Sequence, residues 1–157
     1  MYLETTDGPN SVKYHIDPYC IEAVVGVQRK LPSGSWTRTV KLFMNGGEEF
    51  TFHDYGEDLT PIQSSDIPAR LYELRPEFDW VHHMTDRDEE YLVGCITSTV
   101  SAVLERKTFG VFDLKVYFNG SGCWYTVFPD DDWGRQQRDQ LRDKIAQKLC
   151  TASLNEM

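Results

Sequence analysis

Basic residues are scarce in this chain. Sixteen lysines and arginines stand against 25 aspartates and glutamates, giving a net charge of −9 with neutral histidines. That balance argues against direct binding to nucleic acid or to an anionic membrane, since both need a basic face. No apolar run approaches the ~20 residues that span a bilayer. The opening Met1-Tyr2-Leu3-Glu4-Thr5-Thr6-Asp7 has neither the basic start nor the apolar stretch of a secretory signal. Cysteine is sparse too. Cys20, Cys95, Cys123 and Cys150 lie too far apart for a paired zinc template, and they read as small apolar packing residues of a cytoplasmic protein with free thiols. The chain has no Gly-rich phosphate loop, no dinucleotide fingerprint and no His-Glu-x-x-His metal motif. It therefore offers no complete catalytic signature, and no cofactor is expected.

What is present begins with an ordinary core-forming composition. Hydrophobic residues make up 40% and aromatics 13% of 157 residues. That is too apolar for a disordered chain and long enough for one compact domain spanning 1–157. A domain of this size buries roughly 68–70% of its unfolded surface, so it needs no disulfide or metal for stability.

The most informative feature is a repetition. Val40-Lys41-Leu42-Phe43-Met44-Asn45-Gly46 returns as Leu114-Lys115-Val116-Tyr117-Phe118-Asn119-Gly120. Asn-Gly between alternating apolar runs predicts a β-hairpin with a type I′ turn, because both central residues of that turn need positive φ. The apolar runs that follow are Phe50-Thr51-Phe52 and Tyr125-Thr126-Val127, which makes the second loop one residue longer. Ile21-Glu22-Ala23-Val24-Val25 precedes the first hairpin, and Val100-Ser101-Ala102-Val103-Leu104 precedes the second. The expected fold is α+β, with two related three-stranded antiparallel β-meanders (an internal duplication), a short middle helix and a C-terminal amphipathic helix. The first unit covers 12–54, a helical linker 55–92, and the second unit with its helix 93–150. Residues 1–11 read as a loose arm, and 151–157 as a frayed end.

Within the linker, Ser65-Asp66-Ile67-Pro68 reads as a helix start, and Pro76 as its stop. Thr85-Asp86-Arg87-Asp88-Glu89-Glu90 reads as another start, with its acids in the first turn. For 92–106 helical spacing (Leu92, Ile96, Val100, Val103) competes with β-branched composition. The repeat decides for a strand over 97–105 after a short helix. Residues 130–132 open the last helix, whose apolar stripe is Trp133, Leu141, Ile145 and Leu149.

Two acidic clusters occupy equivalent places after the hairpins: Asp54, Glu57 and Asp58, then Asp130, Asp131 and Asp132. As paired negative patches they would hold a basic protein, or imitate the phosphates that a nucleic-acid-binding target expects. Trp124 and Tyr117 join them as candidate partner-binding aromatics, because neighbours in a strand face opposite sides and some large rings must leave the main core. His82, His83 and Asp86 form the densest set of metal-ligand types, and His53 is a further candidate. On a helix, residues three or four apart would share a face. The leading functional expectation is a non-enzymatic binding protein, such as an inhibitor of phage or mobile-element type that blocks a basic target. The alternatives are a small metal-dependent enzyme using His82, His83 and Asp86, and a homodimeric or larger assembly protein built through exposed aromatics and sheet edges.

Overall fold

The computed structural model describes residues 3–7, 12–108, 110–120 and 122–150. The expected α+β fold is present. Strands β1 (Leu3–Asp7) and β2 (Val12–Ile16) form a two-stranded ribbon. Strands β3 (Ile21–Lys30), β4 (Trp36–Met44) and β5 (Glu49–Gly56) make the first meander, and α1 (Asp66–Leu74) follows. Strands β6 (Phe78–Asp86) and β7 (Glu89–Ile96) come next, then the second meander of β8 (Val100–Thr108), β9 (Val111–Phe118) and β10 (Cys123–Phe128), and finally α2 (Asp132–Leu149). Five strands join in the order β5-β4-β3-β7-β6, and three in the order β10-β9-β8. The loose arm expected over 1–11 is a paired strand at 3–7, and the rest of that expectation, like the frayed end at 151–157, lies outside the described residues.

The five-stranded sheet is covered on both faces. Ala23, Val25, Phe43, Val81, Val93 and Cys95 pack against Leu114, Val116, Phe118 and Phe128 of the small sheet and against Leu141, Ile145 and Leu149 of α2. On the other face Val24, Val40, Leu42 and Phe52 pack against Ile67 and Leu71 of α1 and Ile16 of β2. The α2 stripe holds as expected at Leu141, Ile145 and Leu149, while Trp133 is only half-buried.

The two meanders share details beyond topology. Each has a register shift near the start of its first strand, at Ile21/Ala23 in β3 and at Val100/Ala102 in β8. The Asn45 N–H donates to Cys20 O at 2.8 Å, and the Asn119 N–H to Thr99 O at 3.0 Å. The hairpins close alike, with Met44 N–H donating to Glu48 O at 2.9 Å and Phe118 N–H to Gly122 O at 2.8 Å. The two loops are therefore equally long, which corrects the expected extra residue: Trp124 opposite Val116 matches Phe50 opposite Leu42.

The turn type is corrected as well. Gly47 N–H donates back to Met44 O at 3.0 Å, and Gly47 takes the positive φ of 92° while Asn45 does not. This is a type I turn with a left-handed glycine after it, the usual three-residue hairpin loop. Ser121, at the matching place, lies outside the described residues.

The second half of the expected helical linker is two strands. Arg87 and Asp88 form the tight turn between β6 and β7, where a helix start was expected, and β7 replaces the short helix before β8. The strand expected over 97–105 is found as Val100–Thr108. The reason for the misreading is burial: Tyr91, Leu92, Val93, Gly94 and Cys95 are all buried because layers cover both faces of β7. A strand buried on both sides reads as a continuous apolar run and loses its period of two.

Candidate functional site

The two acidic clusters have different surroundings. In β5, Asp54 lies opposite Arg38 in the strand register and bonds it at 3.2 Å. Arg38 is buried, and its guanidinium also donates to Gln28 Oε1 at 3.1 Å and to Thr60 O at 3.0 Å. A buried cation without a counter-charge is costly, so Asp54 is tied to the fold. Glu57 and Asp58 follow in an exposed loop with no ion pair among the described residues. Tyr55 beside them is 69% exposed.

After β10 the acids are engaged. Asp131 caps α2 by accepting from Gly134 N–H at 2.7 Å, and it lies 3.9 Å from Arg87. Asp130 pairs with Lys107 at 3.4 Å, and Asp132 with Arg135 at 3.8 Å. The first cluster ends an edge strand of the large sheet, and the second joins the small sheet to α2. Equivalent places in the repeat therefore carry unequal patches.

The candidate aromatics lie on opposite faces of the small sheet. Trp124, opposite Val116, turns inward and is half-buried; among the described residues its Nε1–H has no hydrogen-bond partner, and Lys41 Nζ lies 6.0 Å from the ring centre. Tyr117 turns outward under Lys115 Nζ, 5.1 Å from its ring centre. The outer face also holds a lock that sequence reasoning missed. The fully buried carboxylate of Asp113 accepts from Arg106 Nε at 2.9 Å and from Tyr125 Oη at 2.8 Å. Alternation requires one of Trp124 and Tyr125 to leave the core, and it is Tyr125 rather than the candidate Trp124 that does; nothing in the sequence linked Tyr125 to an acid twelve residues earlier.

The metal-ligand types do not gather. His82 and His83 are successive residues of β6, so their rings project from opposite faces of the sheet. His82 Nε2 lies 3.9 Å from Glu90, and His83 Nδ1 is 2.9 Å from Lys144 Nζ beneath α2. Asp86 closes the strand and accepts from the Arg87 N–H at 2.7 Å. His53 is exposed on β5, 3.1 Å from Thr39 Oγ1. Among the described residues no three His, Cys, Asp or Glu side chains converge as a metal site requires. Burial, then the neighbouring Lys144 charge, holds His83 below the ordinary imidazole pKa. Its cross-strand neighbour Tyr91 is fully buried, and among the described residues Tyr91 Oη has no hydrogen-bond partner.

Cys95 and Cys150 are packing residues as expected, whereas Cys20 is exposed and Cys123 half-buried, which corrects the expectation for those two. Burial pushes the Cys95 thiol up to about 12 and the Cys150 thiol up to about 11, so neither holds a thiolate near neutrality.

Among the described residues an open groove of about 530 Å³ runs between the large and small sheets. Residues 124–129 form one wall, Val27, Arg29 and Thr39 of the large sheet form the floor, and Asp86 and Glu89 stand at the β6–β7 turn. Trp124 is thus the one aromatic candidate that lines a concavity as well as touching the core.

No protein-family model, curated protein or solved structure matches this chain. Among the described residues no helix is long and apolar enough to cross a membrane.

Proposed function

We propose that the chain is a non-enzymatic binding protein that engages a protein partner through a basic surface on that partner. The observation that carries this reading is the end of β5. Tyr55, the most exposed large hydrophobic side chain among the described residues, stands beside Glu57 and Asp58, whose charges are not spent on ion pairs. Exposed tyrosine with free carboxylates is the composition of a contact patch that recognises cations, and a net charge of −9 adds long-range attraction to a basic target. An inhibitor that blocks a basic or nucleic-acid-binding target, of phage or mobile-element type, is the specific form of this proposal. We assign the protein to the cytoplasm, because all four cysteines are free thiols and two of them are fully buried.

Affinity capture from the native host tests the proposal. A basic protein is expected to be retained at about 0.1 M salt and released by about 0.5 M, because exposed charge pairs are screened over that range. Tyr55→Ala with Glu57→Lys and Asp58→Lys should lose the captured protein. Asp130→Asn with Asp132→Asn should keep it, since those carboxylates already have cationic neighbours and the Asp131 cap is untouched. Capture indifferent to reversal of Glu57 and Asp58 would defeat the acidic-surface reading.

A further inference from the structure

The two main sheets have four edges, and three of them are protected. β5 carries Glu49, His53 and Asp54 along its edge. α2 covers β6, and Lys144 Nζ donates to His82 O at 3.4 Å. β8 has a register shift at Val100/Ala102 and the charged run Glu105-Arg106-Lys107, and Arg138 donates to Arg106 O at 3.3 Å. These are standard devices against strand addition. β6 and α2 approach β10, but its own sequence carries none of these devices. Its six residues, Cys-Trp-Tyr-Thr-Val-Phe, include no charge and no proline, and its register with β9 runs without a shift.

The polarity of that edge follows from the ladder. Phe118 N–H bonds Gly122 O, so by antiparallel alternation the backbone groups of Trp124, Thr126 and Phe128 face β9. Those of Cys123, Tyr125 and Val127 face away, and among the described residues β10 pairs with no other strand. The same strand walls the open groove. Inside it Val27 and Trp124 offer apolar contact, and on the outer side Tyr125 and Val127 are 43% and 42% exposed.

We propose that β10 is a docking edge for an extended segment of a protein partner, which adds to the small sheet as a fourth strand. The segment supplies its own backbone N–H and C=O groups to Cys123, Tyr125 and Val127. Its alternate apolar side chains pack on Val27 and Trp124 within the groove, and a basic residue meets the end where Asp86 and Glu89 stand. The charged residues lining the groove are those two acids and Arg29, so the lining favours a cationic segment. This deepens the binding-protein reading and rests on it.

A random nonapeptide library displayed on phage is selected on the immobilised full chain, and the best synthetic peptide is titrated by fluorescence anisotropy. The expected peptides alternate apolar residues and carry Lys or Arg at one end. N-methylation at every second peptide residue should abolish binding in one phase and leave it nearly intact in the other, because only alternate N–H groups of an added strand bond β10. Val127→Pro removes an outward N–H without breaking the β9 ladder, and it should weaken binding by more than about tenfold with unchanged circular dichroism. If that variant fails to fold, the N-methylated peptides still decide the matter on the native chain.

Failure to select any peptide, or binding indifferent to the phase of N-methylation, overturns the inference. A dimer seen by light scattering and dissociated by Val127→Lys would assign the edge to a second copy and overturn it as well. Peptide binding that survives while host capture ignores Glu57→Lys and Asp58→Lys would retain the docking edge and discard the acidic patch. The converse result would discard the edge alone.

Discussion

The two meanders are alike along the chain and unlike in their surroundings. Both have a shifted register at the entry of the first strand, both tie the Asn of the turn to the residue before that shift, and both close their loop with the same bond. The first meander is extended by β7 and β6 and covered on two faces, whereas the second stays three strands wide and leaves one face in solvent. A local pattern of alternation and turn residues therefore produces one ribbon shape twice, and the layers packed on it decide whether its edges and faces become core or surface. The contrast extends to single positions. Glu22, the bulged residue of β3, accepts the Gly120 N–H of the opposite turn at 2.7 Å. Its counterpart Ser101 donates to Tyr117 O within its own ribbon, at 3.3 Å.

The sharpest way to break the comparison is through the equivalent core positions Met44 and Phe118. Phe118→Ala should cost about 3–5 kcal/mol, because the ring fills the space between the layers against Phe43, 5.0 Å away between ring centres. Met44→Ala, at the rim of the opposite core, should cost about 2–3 kcal/mol. Urea unfolding checks both, and equal losses would mean that the two units bear the same load.

Next in size are the bulge residues. Glu22→Ala is expected to cost about 1–2 kcal/mol, for one hydrogen bond to a charged acceptor in a half-buried place, while Ser101→Ala should stay within about 0.5 kcal/mol. Thermal melts of the two variants separate a clamp between units from a bond within one.

The acidic clusters give a smaller contrast. Asp131→Ala removes the α2 cap and should cost about 1 kcal/mol. Asp58→Ala should stay within about 0.5 kcal/mol and show its effect in partner capture instead.

The last expectation is a slope with pH. His83 is held below its ordinary pKa in the fold, so the unfolded chain takes up its proton first as pH falls. The stability it permits is present above the unfolded imidazole pKa and drains away as pH drops towards the folded value. Denaturant midpoints at neutral and mildly acidic pH should fall for the native chain and fall less for His83→Gln. Because His83 lies under α2, the slope also reports on that cover.

Much of the fold was legible because its cues are short-range. Ser65, Asp66 and Pro68 mark α1, the acids at 130–132 mark α2, and alternation around each Asn-Gly marks the hairpins. Strand β7 was obscured for the opposite reason: layers on both faces erased its alternation, and the acidic turn before it imitated a helix start. Among candidate site residues, Glu57 and Asp58 are exposed as a solvated patch should be. Asp54 and Asp131 are occupied by a buried arginine and a helix end, which sequence proximity could not show.

Taken by itself, the sequence determined that this chain folds as two similar ribbons with a helix between them and another at the end, because hairpin and capping preferences act within a few residues. Only the tertiary structure decided that one ribbon was extended into a five-stranded sheet, that four of the six clustered acids found a cation or a helix end, and that β10 kept an open edge beside a groove. Those outcomes depend on which surfaces meet across the chain, and burial and ion pairing between distant residues leave no periodic trace in the order of amino acids.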